Sequence, residues 1–330
     1  ALAAVPAGAT PADDRASALA DLSLEELLEV EVSSASRKLE HRSEVAAAVY
    51  VLTEEDIRRS GARTLPELLR HVPGLHVARL DVNKYAITVR GFNDRFANKL
   101  LVLIDGRSIY TTDFSGVWWD HHDLPLENIA RIEVVRGPGG ALWGANAVNG
   151  VINIQTKSAA ETPGTLLRHI WATDAPFNTL VRHGGALRDD LHYRLSLSYA
   201  DRNESEFPDG GQAEDHWETG RISTRFDWNP DRDTTLTVDA HFFRARAGQS
   251  ETLATMAPPY SVNAAESEDH AGAHIRARLE RVVHEDSRWQ LQFSCDHTHR
   301  DALQLLLDRT TFDLQFQHHY RVNAKNDLVW

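Results

Sequence analysis

Cysteine and methionine each occur once in 330 residues, and basic side chains are outnumbered by acidic ones. The single cysteine, Cys295, excludes an internal disulfide and a cysteine-based metal centre. With 35 Lys and Arg against 48 Asp and Glu, the formal charge is −13, which excludes a nucleic-acid partner reached through a global basic field. The longest apolar runs, 46–52 and 100–104, are strand-sized and far short of the roughly 18 residues of a membrane-crossing helix. A membrane β-barrel stays open, because its lipid face is spread over alternate residues. GxxxxGK[ST], GxSxG and HExxH are all missing, and Leu142 occupies the third glycine position of a GxGxxG reading. No catalytic constellation remains, so neither an enzyme nor a cofactor is expected.

What the chain does contain changes character near residue 160. Ala1 to Ala7 are apolar and mostly small, like the end of a secretory signal peptide, and 10–20 reads as a disordered leader. Residues 21–28 have helical apolar spacing with Asp21 or Ser23 as cap. Glu29, Val30, Glu31, Val32, Ser33 and Ser34 then alternate like one extended strand with no partner nearby in sequence. A strand over 45–53 and a helix over 54–60, stopped by Gly61, follow. A second helix starts at Thr64, with Glu67 completing a capping box, and ends before Pro73-Gly74. Short strands are predicted at 75–78, 86–90, 100–104, 130–135 and 150–155, the last two flanking a glycine-dense connection. Residues 44–158 thus read as a mixed α/β domain large enough for its own core, after a leader over 1–43.

Beyond Pro163 the period is two. Leu191, Tyr193, Leu195, Leu197 and Tyr199 share one face, with His192, Arg194, Ser196 and Ser198 on the other, and the pattern recurs to the end of the chain. Eight antiparallel strands are predicted at about 164–174, 177–187, 191–202, 218–228, 234–248, 270–283, 288–301 and 312–322, with a ninth beginning at Leu328. A soluble sandwich would alternate too. Tight turns near 188–190, 229–233, 284–287 and 323–327 alternate with long connections at 203–217, 249–270 and 302–311, the arrangement of an outer-membrane barrel.

The stretch Ile129 to Thr156, IARIEVVRGPGGALWGANAVNGVINIQT, resembles the closing signature of the plug domain of TonB-dependent outer-membrane receptors, with Ala130 in place of the usual acidic residue. Val89-Arg90-Gly91-Phe92 and Leu101-Val102-Leu103-Ile104-Asp105-Gly106 resemble the same domain's other hallmarks, in the same order. The resemblance implies a mixed α/β plug domain (44–158) plus an antiparallel transmembrane β-barrel of which 164–330 is the N-terminal, incomplete part. Plugged transporter barrels have about 22 strands, so on the order of 300 further residues are expected. It further implies location in the bacterial outer membrane and active uptake of a scarce ligand. That ligand would be a ferric siderophore or other metal complex, or alternatively cobalamin, haem or a carbohydrate. The partners implied are TonB with ExbB-ExbD on the periplasmic side, the ligand outside and outer-membrane lipid. The rival reading is a periplasmic plug-type binding module that never inserts.

By position in the resemblance, Glu29 to Ser34 is the TonB-box candidate, with a plain extended linker as the alternative. Two loops are the candidate ligand surface: Arg79, Asp81, Asn83 and Tyr85, and Tyr110, Phe114, Trp118 and Trp119. Their aromatic and fixed polar groups suit a large polar ligand, while Trp118 and Trp119 could equally be packing residues. Arg90, Glu133 and Arg136 resemble charged plug residues that pair with barrel carboxylates, whether as a fixed or a releasable lock. Trp118 to Asp123 offers two histidines and two aspartates, but zinc needs three or four ligands at helix or hairpin spacing, and no metal is assigned.

Overall fold

The computed structural model describes residues 47–330 apart from 145, 304 and 324–325, together with strands β1 (Glu31–Val32) and β2 (Glu40–His41). The leader 1–30, including the expected helix over 21–28, lies outside the described residues, as do Glu29, Val30, Ser33 and Ser34. Contrary to the expectation of a partnerless strand, β1 pairs antiparallel with β2, with Val32 opposite Glu40. The chain forms two compact units, one of 1–77, 87–117 and 129–156, the other of 78–86, 118–128 and 157–330.

The first unit is built on a five-stranded sheet in the order β3-β8-β9-β6-β7. Its strands are β3 (Ala48–Leu52), β6 (Leu100–Ile104), β7 (Arg107–Ser108), β8 (Ile129–Arg136) and β9 (Gly150–Thr156). β6 reads LLVLI and is buried throughout, as a central strand covered on both faces must be. It pairs parallel with β9, while β8 pairs antiparallel with both β3 and β9. One core cluster joins Val49, Leu101, Leu103, Val135, Ala147 and Val151. Gly150 is needed where β9 starts, because a Cβ there would lie 2.6 Å from the Val135 carbonyl oxygen. The turn after β6 places Asp105 at φ 49°, and its carboxylate accepts from Thr156 N at 2.8 Å and Thr156 Oγ1 at 2.7 Å, fastening the turn to the end of β9.

Helix Glu54–Arg59 carries a complete capping box, Thr53 Oγ1 accepting from Asp56 N and Asp56 Oδ2 from Thr53 N. In helix Leu65–Leu69 the expected box is only half formed. Thr64 caps Glu67 N, but Glu67 Oε2 accepts from Arg63 N at 2.9 Å, one residue further back than predicted. Strands β4 (Leu75–Arg79) and β5 (Tyr85–Val89) form a two-stranded sheet that carries the chain from the first unit into the second and back.

The second unit contains a nine-stranded antiparallel meander, each strand paired with the next. It comprises β10 (Gly164–Ile170), β11 (Phe177–Arg188), β12 (Leu191–Arg202), β13 (Trp217–Trp228), β14 (Thr234–Ala254), β15 (Ser261–His284), β16 (Ser287–Ala302), β17 (Leu305–Asn323) and β18 (Asn326–Val329). Burial separates the two readings that alternation leaves open. Arg194, Ser196, Arg276, Gln292 and Arg300 are buried, whereas Leu195, Leu197, Phe293, Phe312 and Leu314 are exposed, Phe312 to 69% and Leu314 to 70%. A sandwich buries the apolar face; this sheet buries the polar one, as a membrane barrel does. Among the described residues no helix is long and apolar enough to cross a membrane.

Two connections expected to be long loops are strand instead. β14 and β15 continue in register to Ala254 and Ser261, and β16 and β17 to Ala302 and Leu305. Apart from the facing pair Leu253 and Val262, residues 249–254 and 261–269 are polar or small, so the ladder extends where no apolar alternation marks it. The connection over 203–216 is long, as expected.

The division into units makes a prediction for a fragment of residues 44–158. Its amides in β3, β6, β8 and β9 should exchange slowly with solvent, while those of 78–86 and 118–128, which in the fragment lose the ties of Val82 N to Asp215 and of the Asp120 and His121 carbonyls to Arg221, should exchange more rapidly. Equal protection of these two segments in hydrogen-exchange mass spectrometry would contradict the division.

Candidate functional site

Segments 78–86 and 118–128 enter the second unit as loops, and their backbone polar groups need partners there. Asp81 folds the first loop on itself. Its Oδ1 accepts from Asn83 N at 3.0 Å and Lys84 N at 2.7 Å, its Oδ2 faces Lys84 Nζ at 2.8 Å, and Arg79 Nε donates to Asp81 O at 2.9 Å. That Asx turn presents Val82, which packs with Trp217 and Ala247. Val82 N donates to Asp215 Oδ2 at 3.1 Å and Val82 O accepts from Arg202 Nη1 at 3.3 Å. The Arg202 guanidinium lies 4.7 Å from the centre of the Trp217 ring, a cation–π stack that sets its direction.

The second loop contains a one-turn 3-10 helix, Trp119–His122. Arg221, from β13, donates to the main-chain carbonyls of Asp120 at 2.5 Å and His121 at 2.9 Å. The Asp120 carboxylate is buried among Asn83 Nδ2 at 3.3 Å, Arg300 Nη1 at 3.4 Å and His270 Nδ1 at 3.3 Å. Glu268, from β15, accepts from His270 Nε2 at 2.8 Å, pairs with Arg300, and lies 3.5 Å from Lys84 Nζ. Arg300, from β16, is 1% exposed, and its guanidinium also sits 4.0 Å above the Trp118 ring. Asp81, Asp120 and Glu268 are thus matched by Lys84, Arg221 and Arg300, which is what allows so many charges to be buried.

Burial alone would push the Asp120 carboxyl up, but the Arg300 guanidinium beside it outweighs burial and holds it well below the usual carboxylate range. Burial lowers the His121 imidazole to about 3, against the pull of Asp120, so its ring is neutral. Its Nε2 is buried with no hydrogen-bond partner among the described residues. The ligand atoms of Asp120, His121 and His270 all lie within 4.8 Å of one another.

The structure brings Asp81, Asn83, Trp118 and Trp119 into or beside this cluster, but not as an exposed ligand surface. Asn83, Tyr85, Trp118 and Trp119 are buried, with Tyr85 at 5% and Trp118 at 7%. For two of them the physical reason is that Asn83 is engaged by Asp120 and the Trp118 ring by Arg300, within the unit. Arg79 is exposed. Tyr110 and Phe114 lie in the first unit, half-buried, with Phe114 edge-on to Phe96 at 5.1 Å.

Arg90, Glu133 and Arg136, expected to reach barrel carboxylates, instead bond within the first unit. Arg90 Nη2 donates to Arg136 O at 3.2 Å, Arg136 Nη1 donates to Pro73 O at 3.0 Å, and buried Glu133 accepts from Gln155 Nε2 at 3.1 Å and pairs with Arg131 at 3.0 Å. Arg202, Arg221 and Arg300 are among the arginines that tie loop to strand. They sit on the polar strand face, which the period-two pattern locates without saying which members bear the ties.

Residues 41–151 match the family described as TonB-dependent Receptor Plug Domain. Over 138 residues the chain is 35% identical to the vitamin B12 transporter BtuB of Vibrio vulnificus, covering 41% of this chain and 22% of that protein. A B12 transporter of Vibrio cholerae is 35% identical over 139 residues, again 22% of its length. The matched region thus spans about a fifth of these curated relatives. FpvA of Pseudomonas aeruginosa, solved with a ferric pyoverdine, superposes with a TM-score of 0.67 at 17% identity, over 90% of this chain and 43% of that one. The siderophore receptor PiuA of Acinetobacter baumannii gives 0.64 at 14% identity, over 90% and 46%. At those identities the structural likeness carries the fold, plug-type domain plus barrel strands.

Removing one member of the buried ion cluster should cost more than removing a matched pair. Arg300→Met leaves Asp120 and Glu268 short of a cation and is expected to lower unfolding free energy by about 3–5 kcal/mol. Adding Glu268→Gln to Arg300→Met should recover part of that loss. Additive effects in urea titrations of protein folded into lipid vesicles would show that the two side chains are not coupled.

Proposed function

We propose, on the premise that this chain is a TonB-dependent receptor of the bacterial outer membrane, that the protein carrying it takes up a scarce metal chelate or corrinoid by active transport. The observation that carries the proposal is the inverted sheet, which exposes Leu195, Phe293, Phe312 and Leu314 while burying Arg194, Arg276, Gln292 and Arg300. A sheet of that polarity is stable only with lipid on one side and polar groups on the other. A ferric siderophore or other metal complex is the substrate class favoured by the fold, and cobalamin is supported by the identity to B12 transporters over the plug region. The periplasmic module that never inserts fits less well, since it would leave the exposed apolar face in water.

Ligand recognition is assigned to the accessible members of the two candidate loops, Arg79, Tyr110 and Phe114. Energy coupling is assigned to Glu29 to Ser34, through TonB with ExbB-ExbD. A short extended segment offers main-chain donors and acceptors to the edge of a partner sheet. Glu31–Val32 already forms a two-residue ladder with Glu40–His41, so this piece of chain adopts strand geometry before any partner arrives.

Two measurements test the reading. The full receptor, isolated with the outer membrane, should migrate differently on gels before and after boiling; recovery from the soluble periplasm without that shift would favour the binding module. Val32→Pro removes an N–H and obstructs strand addition. Cells making this variant should bind ferric siderophore or cyanocobalamin at the surface as before but accumulate at least tenfold less of it. Unimpaired uptake would move the coupling contact elsewhere, with Asp21 to Leu28 next in line.

A further inference from the structure

We propose that Asp120, His121 and His270 form a site for one borderline divalent transition-metal ion of the Zn2+ class, joining the 118–128 segment to strand β15. The inference does not depend on which ligand the receptor carries. One carboxylate and two imidazoles, all buried, present ligand atoms within 4.8 Å of one another. That mixed nitrogen and oxygen set suits zinc and its first-row neighbours rather than calcium or magnesium.

Two hydrogen-bonding observations point to a cation at this place. His270 Nε2 lies 2.8 Å from Glu268 Oε2, a contact that requires the proton on Nε2. In a neutral ring Nδ1 is then a bare lone pair, and it faces Asp120 Oδ2 at 3.3 Å, an acceptor against an acceptor. Either a second proton or a metal ion relieves that opposition. His121 decides between them. Its Nε2 is buried without a hydrogen-bond partner among the described residues, in a side chain only 3% exposed. A proton on His270 does nothing for that second imidazole, whereas a metal ion satisfies both rings and the carboxylate together.

Glu268 then holds the Nε2 proton of His270 and aims Nδ1 at the metal, the carboxylate–imidazole–metal relay that raises ligand basicity. Arg300 opposes binding by its charge, 3.4 Å from Asp120 Oδ2, but it is also engaged by Glu268 and by the Trp118 ring. With three protein ligands and a nearby cation, the site should bind more weakly than a closed four-ligand structural zinc site, and one coordination position stays open for water or a further donor.

The test uses tag-free, full-length receptor in detergent, stripped with chelator and titrated with Co2+ alone, then with Zn2+ as competitor. Wild type should bind one equivalent of Co2+ with a visible d–d band that Zn2+ abolishes. His121→Ala and His270→Ala should each lose that equivalent while keeping heat-modifiable migration. His297→Ala with His299→Ala, which removes one exposed and one half-buried histidine of β16, should retain it. Glu268→Gln should bind about tenfold or more weakly, as expected for loss of an outer carboxylate. Binding by His121→Ala equal to wild type, or a wild-type equivalent lost only with His297 and His299, would overturn the proposal.

Discussion

Arg300 is the point on which the second unit turns. A guanidinium at this depth needs its charge and its flat face satisfied at once, and it finds Glu268 on the neighbouring strand, Asp120 on a loop, and the Trp118 ring beneath it. Each partner is in turn held: Glu268 by His270 and Lys84, Asp120 by Asn83, and the Asp120 and His121 backbone by Arg221. The loops at 80–84 and 118–123 are therefore shaped by charges that the strands cannot neutralise alone. Apolar packing plays a smaller part here, through Val82 against Trp217. Ionic and polar ties of this sort are directional and open to competition by water, which distinguishes them from the aliphatic core that holds β6, β8 and β9 together.

The two units solve the same folding problem in opposite ways. In the first, LLVLI of β6 is buried on both faces and Leu65, Leu68 and Leu69 of the second helix are buried as well. In the second, the apolar side chains point away from the polypeptide and the polar ones are packed inward, so the stability of the sheet depends on its surroundings supplying the hydrophobic contact. A chain divided in this way has to meet two solvents, and its sequence changes period near residue 160 accordingly.

Much of this could be read from the residues. β6, β12 and β13 fall almost where alternation or continuous apolar runs place them, because burial on one or both faces leaves a periodic mark. The far ends of β14 and β15 leave none, since there the ladder rests on main-chain bonds with the Thr252 to Asn263 side-chain bond beside them, and these need no apolar alternation. Helix capping at Thr53 and Thr64 follows from local sequence, although the reach of Glu67 back to Arg63 does not. The site was the least legible part. Asp120 and His121 lie in a run that offers two histidines and two aspartates, but the third side chain of their cluster comes from β15, and only the fold makes them neighbours. Trp118 has the chemistry of a ligand contact and is enclosed, because an aromatic ring serves an arginine as well as it serves a ligand; Tyr85 is buried too.

The arginines of the polar strand face share a habit beyond their charge. Arg182 donates to the carbonyl of Glu127, Arg194 to that of Lys157, Arg202 to that of Val82, and Arg221 to those of Asp120 and His121. A carbonyl oxygen is present whatever side chain the residue bears. The loops are thus held partly by their backbone, and these particular ties survive a change in the side chain of the residue whose carbonyl is gripped, unlike the ion pairs of Asp120 and Lys84.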